Sequence, residues 1–353
     1  MSTTGNKELI LALEQIEKEK NISKEILLEA LENSLVAACK NHFGTADNIK
    51  VSINRDNGEV KVLAEREIVE NATNLVTQID AEEAKIKYPD KNIGDIISIE
   101  VTPKNFGRIA AQKAKQVVVQ KIREEERKVI FKEFSALEKD IVTGIVQRYV
   151  GRNISINLGK ADAILKESEQ VPSEHFRRTE KVKVYIVKVE DTVRGPVITI
   201  SRTHPELVKK LFEAEVAEVK DGTVEIKSIA REAGSRTKIA VYTEYDEVDA
   251  VGACVGINSA RVNHIVNELR GEKIDIINWS DDPAILIENA LSPARVVSVV
   301  ANEEEKTASV VVPDYQLSLA IGREGQNARL AARLTGYKID IKSESQVADI
   351  YEE

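Results

Sequence analysis

Two stretches of this chain repeat one another, and the repetition constrains the fold more than any single residue does. Val255-Gly256-Ile257-Asn258-Ser259 is followed by a helical run over 261–270, Gly271 and Lys273-Ile274-Asp275-Ile276. Ile321-Gly322-Arg323-Glu324-Gly325 is followed by a helical run over 326–335, Gly336 and Lys338-Ile339-Asp340-Ile341. Two strand-like runs precede each copy, at 224–229 and 238–242 in the first and at 295–300 and 308–312 in the second. Two strands, two helices about a glycine loop and a further strand make one supersecondary unit, here present twice. The expected modules are 201–280 and 281–345, with an acidic, frayed tail at 346–353.

The loop of the second copy, Gly322-Arg323-Glu324-Gly325, joins two short helices. So tight a connection needs residues that accept positive φ and let another backbone come close. The helix that follows offers free amides and its positive dipole end to an anion. A sugar-phosphate strand can lie there with its bases turned into an apolar groove, which is how KH domains clamp about four nucleotides. An isolated loop of this kind is more often a plain helix cap and turn; the surrounding repeat favours the KH reading. In the first copy Ser259 stands at the second glycine position, where it can cap the next helix but restricts backbone approach. Gly256, Ile257, Asn258, Ser259 and Arg261 are its RNA candidates, with a purely structural copy as the alternative.

On the helix after the second loop, Arg329 and Arg333 lie four apart and share a face, which with Arg323 forms a phosphate-binding edge or a solvated surface. Gln326 and Asn327, in its first turn, face a base edge or phosphate unless Asn327 caps the helix.

Upstream, 134–200 reads all-β. Strands are expected at 141–146, 154–158, 161–165, 182–189 and 197–201, punctuated by Gly144, Gly151, Gly159 and Gly195. Five short strands in so little chain suit a closed barrel of the OB type, because closure removes the sheet edges. Tyr149, His175, Phe176 and Tyr185 are its stacking candidates. Tyr149, beside Arg148, is the better surface residue and Phe176 the better core anchor; Arg202 is a candidate phosphate contact.

Residues 1–133 form the first unit. Leu9, Leu13 and Ile16 mark a helix that Asn21 breaks; Ser23 caps a second, with Leu27, Leu31, Leu35 and Ala38 on its stripe, ended by Gly44. Alternation at Ile49, Val51, Ile53 and Val60, Val62 about Asn57-Gly58 is a hairpin signal. Another strand is expected at Ile97, Ile99 and Val101, then a long helix over 105–134; Lys104, just ahead of it, with Arg108 and Lys115 makes one basic stripe at i, i+4 and i+11.

The net charge of −9 excludes a protein that coats nucleic acid by bulk electrostatics, and 4% aromatics argues against a broad stacking platform. Contacts must come from local grooves and backbone donors. Cys39 and Cys254 are too far apart in sequence to suggest a disulfide framework, which points to a reducing cytoplasm. No apolar run is long enough to span a membrane. The four histidines (His42, His175, His204, His264) have no partners at metal-ligand spacing, and there is no phosphate-binding GxxxxGK[ST] loop. No enzyme, metal or cofactor is expected.

In the order of its units and in particular motifs the chain closely resembles the NusA family of bacterial transcription factors. The motifs are residues 141–144 and 153–159, Ser201-Arg202-Thr203-His204-Pro205-Glu206-Leu207, Gly234-Ser235-Arg236-Thr237-Lys238, Val251-Gly252-Ala253-Cys254-Val255-Gly256, Asn267-Glu268-Leu269, Glu272-Lys273-Ile274-Asp275-Ile276 and the run 320–331. The resemblance implies a multidomain α+β chain: an N-terminal α/β domain with long helices, a five-stranded OB-fold barrel of the S1 type, and two tandem type II KH domains packed as one RNA platform. It adds Ser235 and Arg236 to the RNA candidates.

The same resemblance implies docking of the N-terminal domain on core RNA polymerase near the RNA exit channel, binding of single-stranded nascent RNA, and modulation of pausing, intrinsic termination and antitermination with other Nus factors. A cytoplasmic monomer is expected. Relatives with C-terminal acidic repeats extend beyond where this sequence stops, so a short form is expected. Ser259 departs from the family's usual second glycine. Two alternatives remain: an RNA-degrading phosphorylase, whose KH-then-S1 order is reversed here, and a non-catalytic RNA-binding scaffold in RNA decay or ribosome assembly.

Overall fold

The computed structural model describes residues 3–20, 22–43, 48–103 and 106–347. Asn21, Gly44, Lys104 and the tail beyond 347 lie outside them. The chain divides into two compact units, 1–129 and 130–353.

In the first unit, helices α1 (Thr3–Lys20) and α2 (Lys24–Phe43) precede strands β1 (Ile49–Ile53) and β2 (Val60–Val69). β1 and β2 pair antiparallel across the loop that holds Asn57-Gly58, whose glycine takes φ +70°. Asn54 Oδ1 accepts from the amides of Asp56 and Asn57 and shapes that turn. β3 (Gln78–Asp80), α3 (Ala81–Lys87) and β4 (Ile96–Glu100) follow, with β3 and β4 both paired to β2. The stripe of α2 is fully buried at Leu27, Leu31 and Leu35, against Val51, Ile53 and Val62 of the sheet. Helix α4 (Phe106–Ser135) contributes Ala114 and Val118 to this core.

In the second unit Phe134 joins the core of the barrel. Its strands are β5 (Ile141–Val150), β6 (Asn153–Asn157), β7 (Asp162–Leu165), β8 (Lys181–Glu190) and β9 (Val197–Ser201), closed in the order β5-β6-β7-β9-β8. Parallel pairing of the third and fifth strands completes an OB-like barrel. β5 runs on to Val150, beyond the expected end at 146. A shift of register between Val146 and Arg148 against β6 interrupts the alternation there without ending the strand.

The first repeat comprises α5 (Pro205–Glu215), α6 (Ala217–Lys220), β10 (Glu225–Glu232), β11 (Arg236–Tyr242), α7 (Ala250–Val255), α8 (Ala260–Glu268) and β12 (Lys273–Asn278). The second comprises α9 (Pro283–Ala290), β13 (Ser298–Asn302), β14 (Thr307–Val312), α10 (Leu317–Ile321), α11 (Gln326–Thr335) and β15 (Lys338–Ser343). In each sheet the central strand pairs antiparallel with the strand before it and parallel with the last, the arrangement of a type II KH domain.

The two repeats share a core. Ala230, Ala240 and Ile277 of the first pack with Leu286, Ala290, Leu330 and Leu334 of the second. Buried cations sit at the seams, each hydrogen-bonded to a carboxylate and to a backbone carbonyl, as the cost of burying charge requires. Arg202 joins barrel to first repeat. Nε and Nη2 donate to Glu174, Nη1 to the Lys183 carbonyl at 2.8 Å and Nη2 to the Glu268 carbonyl at 3.0 Å. Lys238, fully buried, joins the repeats by donating to Asp275 at 3.0 Å and to the Ser292 carbonyl at 2.7 Å. Within the first repeat Arg231 makes two 2.9 Å bonds to Glu272.

Burial pushes the Glu272 carboxyl up, but bonds from Arg231, Thr237 and the Gly234 amide outweigh it and hold the group below the usual carboxylate range. Asp275 behaves alike, with Arg236 and Lys238 overcoming burial. Carboxylates lowered in the folded state add stability that is complete above their ordinary range and is withdrawn as pH falls toward their folded values. Glu272→Gln, which leaves Arg231 buried and half-partnered, should cost about 3 kcal/mol. Urea unfolding followed through Trp279, the single tryptophan, measures this, and the variant should show a shallower loss of stability below about pH 5 than wild type.

Candidate nucleic-acid interface

The two loops are the same backbone built from different side chains. Gly322 lies at φ 76°, ψ 171° and Gly256 at φ 74°, ψ 170°. Glu324 and Asn258 are both left-handed, at φ 52°, ψ 26° and φ 53°, ψ 32°. Gly325 and Ser259 follow, also left-handed, at φ 73° and φ 60°. Two consecutive left-handed residues turn the chain sharply enough to start a new helix at once. No side chain caps either following helix, so the expected cap by Ser259 is not made. The serine side chain instead carries the steric cost of a conformation that glycine occupies freely.

Gly322 is demanded by space as well as by φ. A Cβ there would come within 2.8 Å of both Cβ and the backbone nitrogen of Asn327. At Gly325 the only neighbour of an added Cβ is Arg329 Nη1, at 3.9 Å, so that corner of the loop is open. The loop tips are outermost: the side chains of Arg323 and Glu324 are 92% and 82% exposed, and Ile257 is 87% exposed. Asn258 is exposed beside it.

Several residues read as binders are committed elsewhere. Asn327 is buried, and its Nδ2 donates to the carbonyls of Leu291 and Ala320, both at 3.0 Å, so it ties α11 to the preceding elements rather than meeting a base. Arg202 is fully buried at the barrel seam and cannot reach a phosphate. Arg261 Nη1 donates to Glu218 and to the Ala253 carbonyl, and its stem packs against Gly256. Arg236 is held bidentate by Asp275 at 2.7 and 2.9 Å. Tyr149 keeps a half-exposed ring while its hydroxyl donates to the Phe176 carbonyl at 3.0 Å. Phe176 is a core residue flanked by Arg202 and Arg270, and Tyr185 is buried against His204. His175 is exposed, as is Lys115; the side chain of Arg108 lies outside the described residues.

Sequence reading missed Glu232. From the first repeat it accepts from Arg329 Nε at 2.5 Å and Gln326 Nε2 at 2.9 Å, with Arg333 at 3.8 Å. Ser235 Oγ accepts from the same Gln326 nitrogen at 2.7 Å. The hydrogen bond from Arg329, opposed by burial, holds the Glu232 carboxyl below its usual range. A cavity of about 530 Å³ at the seam was also missed; it is lined by Val251, Ile276, Asn278, Asn289, Ser292 and Arg295 among others. Its lining mixes the amides of Asn278 and Asn289 with Val251 and Ile276, groups that could bond and cover an unstacked base. No local motif announces either feature, since each joins residues far apart in sequence. Cys254 offers no nucleophile, because burial pushes its thiol up to about 12. Among the described residues no cluster of side chains could hold a metal ion.

An OB-like barrel leading into two fused type II KH modules defines a multidomain protein of the single-stranded nucleic-acid-binding kind. Family comparisons agree. The sequence matches the NusA N-terminal domain over residues 8–128, the NusA-like first KH domain over 202–279 and the NusA-like second KH domain over 283–349. It is 56% identical to the transcription termination/antitermination protein NusA of Halalkalibacterium halodurans, over 98% of this chain and 90% of that one. With the protein of the same name from Bacillus subtilis the identity is 55%, over 97% and 92%. The solution structure of the N-terminal domain of NUSA from B. subtilis is 48% identical over 35% of this chain and 98% of its own, with a TM-score of 0.32. The chain belongs to the NusA family.

Replacing Ser259 with glycine should relieve the left-handed strain and raise stability by about 0.5–1 kcal/mol, net of the entropy glycine adds to the unfolded chain. Gly322→Ala should lower it, because the added methyl meets backbone. Thermal unfolding of the two variants beside wild type checks both signs.

Proposed function

We propose that this protein is a non-catalytic transcription factor that binds RNA polymerase and nascent single-stranded RNA and modulates pausing, intrinsic termination and antitermination. The observation that carries the reading is the pair of exposed loops with matching dihedral angles in the second compact unit, in a chain more than half identical to proteins named for termination and antitermination. Residues 1–133 serve polymerase binding, 134–200 form the S1-type barrel, and 201–280 and 281–345 are the KH modules. The protein acts as a cytoplasmic monomer, with other Nus factors as further partners.

RNA lies against the 256–259 and 322–325 loops. Arg323 supplies a phosphate contact from the second, and Ile257 and Asn258 supply uncharged contacts from the first. The seam cavity takes a base, and the half-exposed ring of Tyr149 offers a stacking face on the barrel. Tethering to polymerase raises the local concentration of RNA at the platform, so weak contacts suffice and a net charge of −9 is no obstacle.

Gly325→Asp tests this directly. The site is open and aspartate tolerates left-handed backbone better than most residues, so the fold should survive. The new carboxylate faces phosphate, and affinity for single-stranded RNA should fall at least about tenfold. Pause enhancement in a single-round assay with purified polymerase should fall with it. Unchanged RNA affinity would remove the loop from the interface.

A further inference from the structure

We propose that Glu232, in the first KH module, is a positioning residue for the RNA-binding loop of the second. The inference rests on the reading that the 322–325 loop carries RNA. Gln326 and Arg329 lie three residues apart in the first turn of α11, directly after Gly325, so whatever fixes their side chains fixes the start of that helix. Glu232 holds both, one on each carboxylate oxygen. Gln326 spends its second amide hydrogen on Ser235 Oγ, in the turn between β10 and β11 of the same first module. Arg329, anchored through Nε, uses Nη1 to donate to the Glu324 carbonyl at 3.1 Å, inside the loop itself.

The chain of contacts therefore runs from a carboxylate of one module, through a guanidinium, to the backbone of the other module's clamp. The Glu232 side chain is 20% exposed, which leaves its carboxylate partly sheltered although Arg329 is 44% exposed. The atom it reaches is the carbonyl of Glu324, one of two successive left-handed residues that set where the loop amides point. A loop held in a costly conformation stays there only if its surroundings over-determine it. The first module, whose loop 256–259 contains no cation and whose nearby Arg261 is tied to Glu218, thus contributes to RNA binding by pre-shaping its neighbour.

Two conservative variants of the full chain separate positioning from the opposite possibility, that Glu232 merely competes with phosphate for Arg329. Glu232→Gln removes the charge; Glu232→Asp keeps it but withdraws it from Gln326 and Arg329. Affinity for a fluorescently labelled single-stranded RNA of mixed sequence is read by anisotropy across a salt series, with folding checked through Trp279. Positioning predicts that both variants weaken binding, roughly threefold to tenfold, and that neither adds to the effect of Arg329→Gln. The proposal is overturned if Glu232→Gln tightens binding and steepens the salt dependence by about 0.7 per phosphate gained, or if both variants bind as wild type. Gly325→Asp runs alongside: if it too leaves affinity unchanged, the loop assignment fails and this inference with it, whereas a weakened Gly325→Asp beside unaffected Glu232 variants sinks the inference alone.

Discussion

A cation removed from water must find acceptors on every side, and residues 130–353 place such a cation at each seam between modules. Arg202 meets Glu174, the Lys183 carbonyl and Glu268, which ties the barrel to the first KH module. Lys238 meets Asp275 and the Ser292 carbonyl, which ties the first KH module to the second. Such pairs contribute little net stability against an apolar substitute, yet they are costly to break and demanding in geometry. Their effect is to fix register. The relative placement of the two KH modules follows from it, as does the cavity at their seam, and a strand of RNA can use both loops only if that placement holds.

Upon that frame the two loops divide the chemistry. Their dihedral angles coincide, so each offers the same uncapped helix start. The second adds an outward arginine and a glutamate that partly offsets it, while the first presents isoleucine and asparagine and hides its arginine. On the proposed reading, affinity at the first loop would come from backbone amides and apolar contact, which depend little on salt, and the second would carry the ionic share. This division explains how a chain with an excess of acidic residues can hold a polyanion: the contacts are few, local and directional, and bulk charge plays no part in them.

Much of the fold was legible because it rests on local rules. The repeated glycines, the five short runs ahead of them and the Asn57-Gly58 turn each report a backbone requirement that nearby residues must satisfy. In the candidate site the backbone was legible, as in the positive φ of Gly256, Gly322 and Gly325. Side chains were misjudged when their partners lie far along the chain. Arg202 looks like a surface cation just past a strand, yet Glu174 and Glu268 close over it. Asn327 looks like a first-turn polar group, but the carbonyls of Leu291 and Ala320 claim its amide. Glu232 drew no notice, since a glutamate at the end of a strand carries no signal of the arginine nearly a hundred residues later that it will meet.

The central claim is that both loops engage one RNA strand at once. Amide hydrogen exchange of the full chain, followed residue by residue while single-stranded RNA is added, addresses it most directly. Protection at residues 256–260 and 322–326 should appear over the same range of RNA concentration, with Asn278 and Arg295 of the seam cavity protected in step. Protection of one loop alone, or of a surface that contains neither, would contradict it.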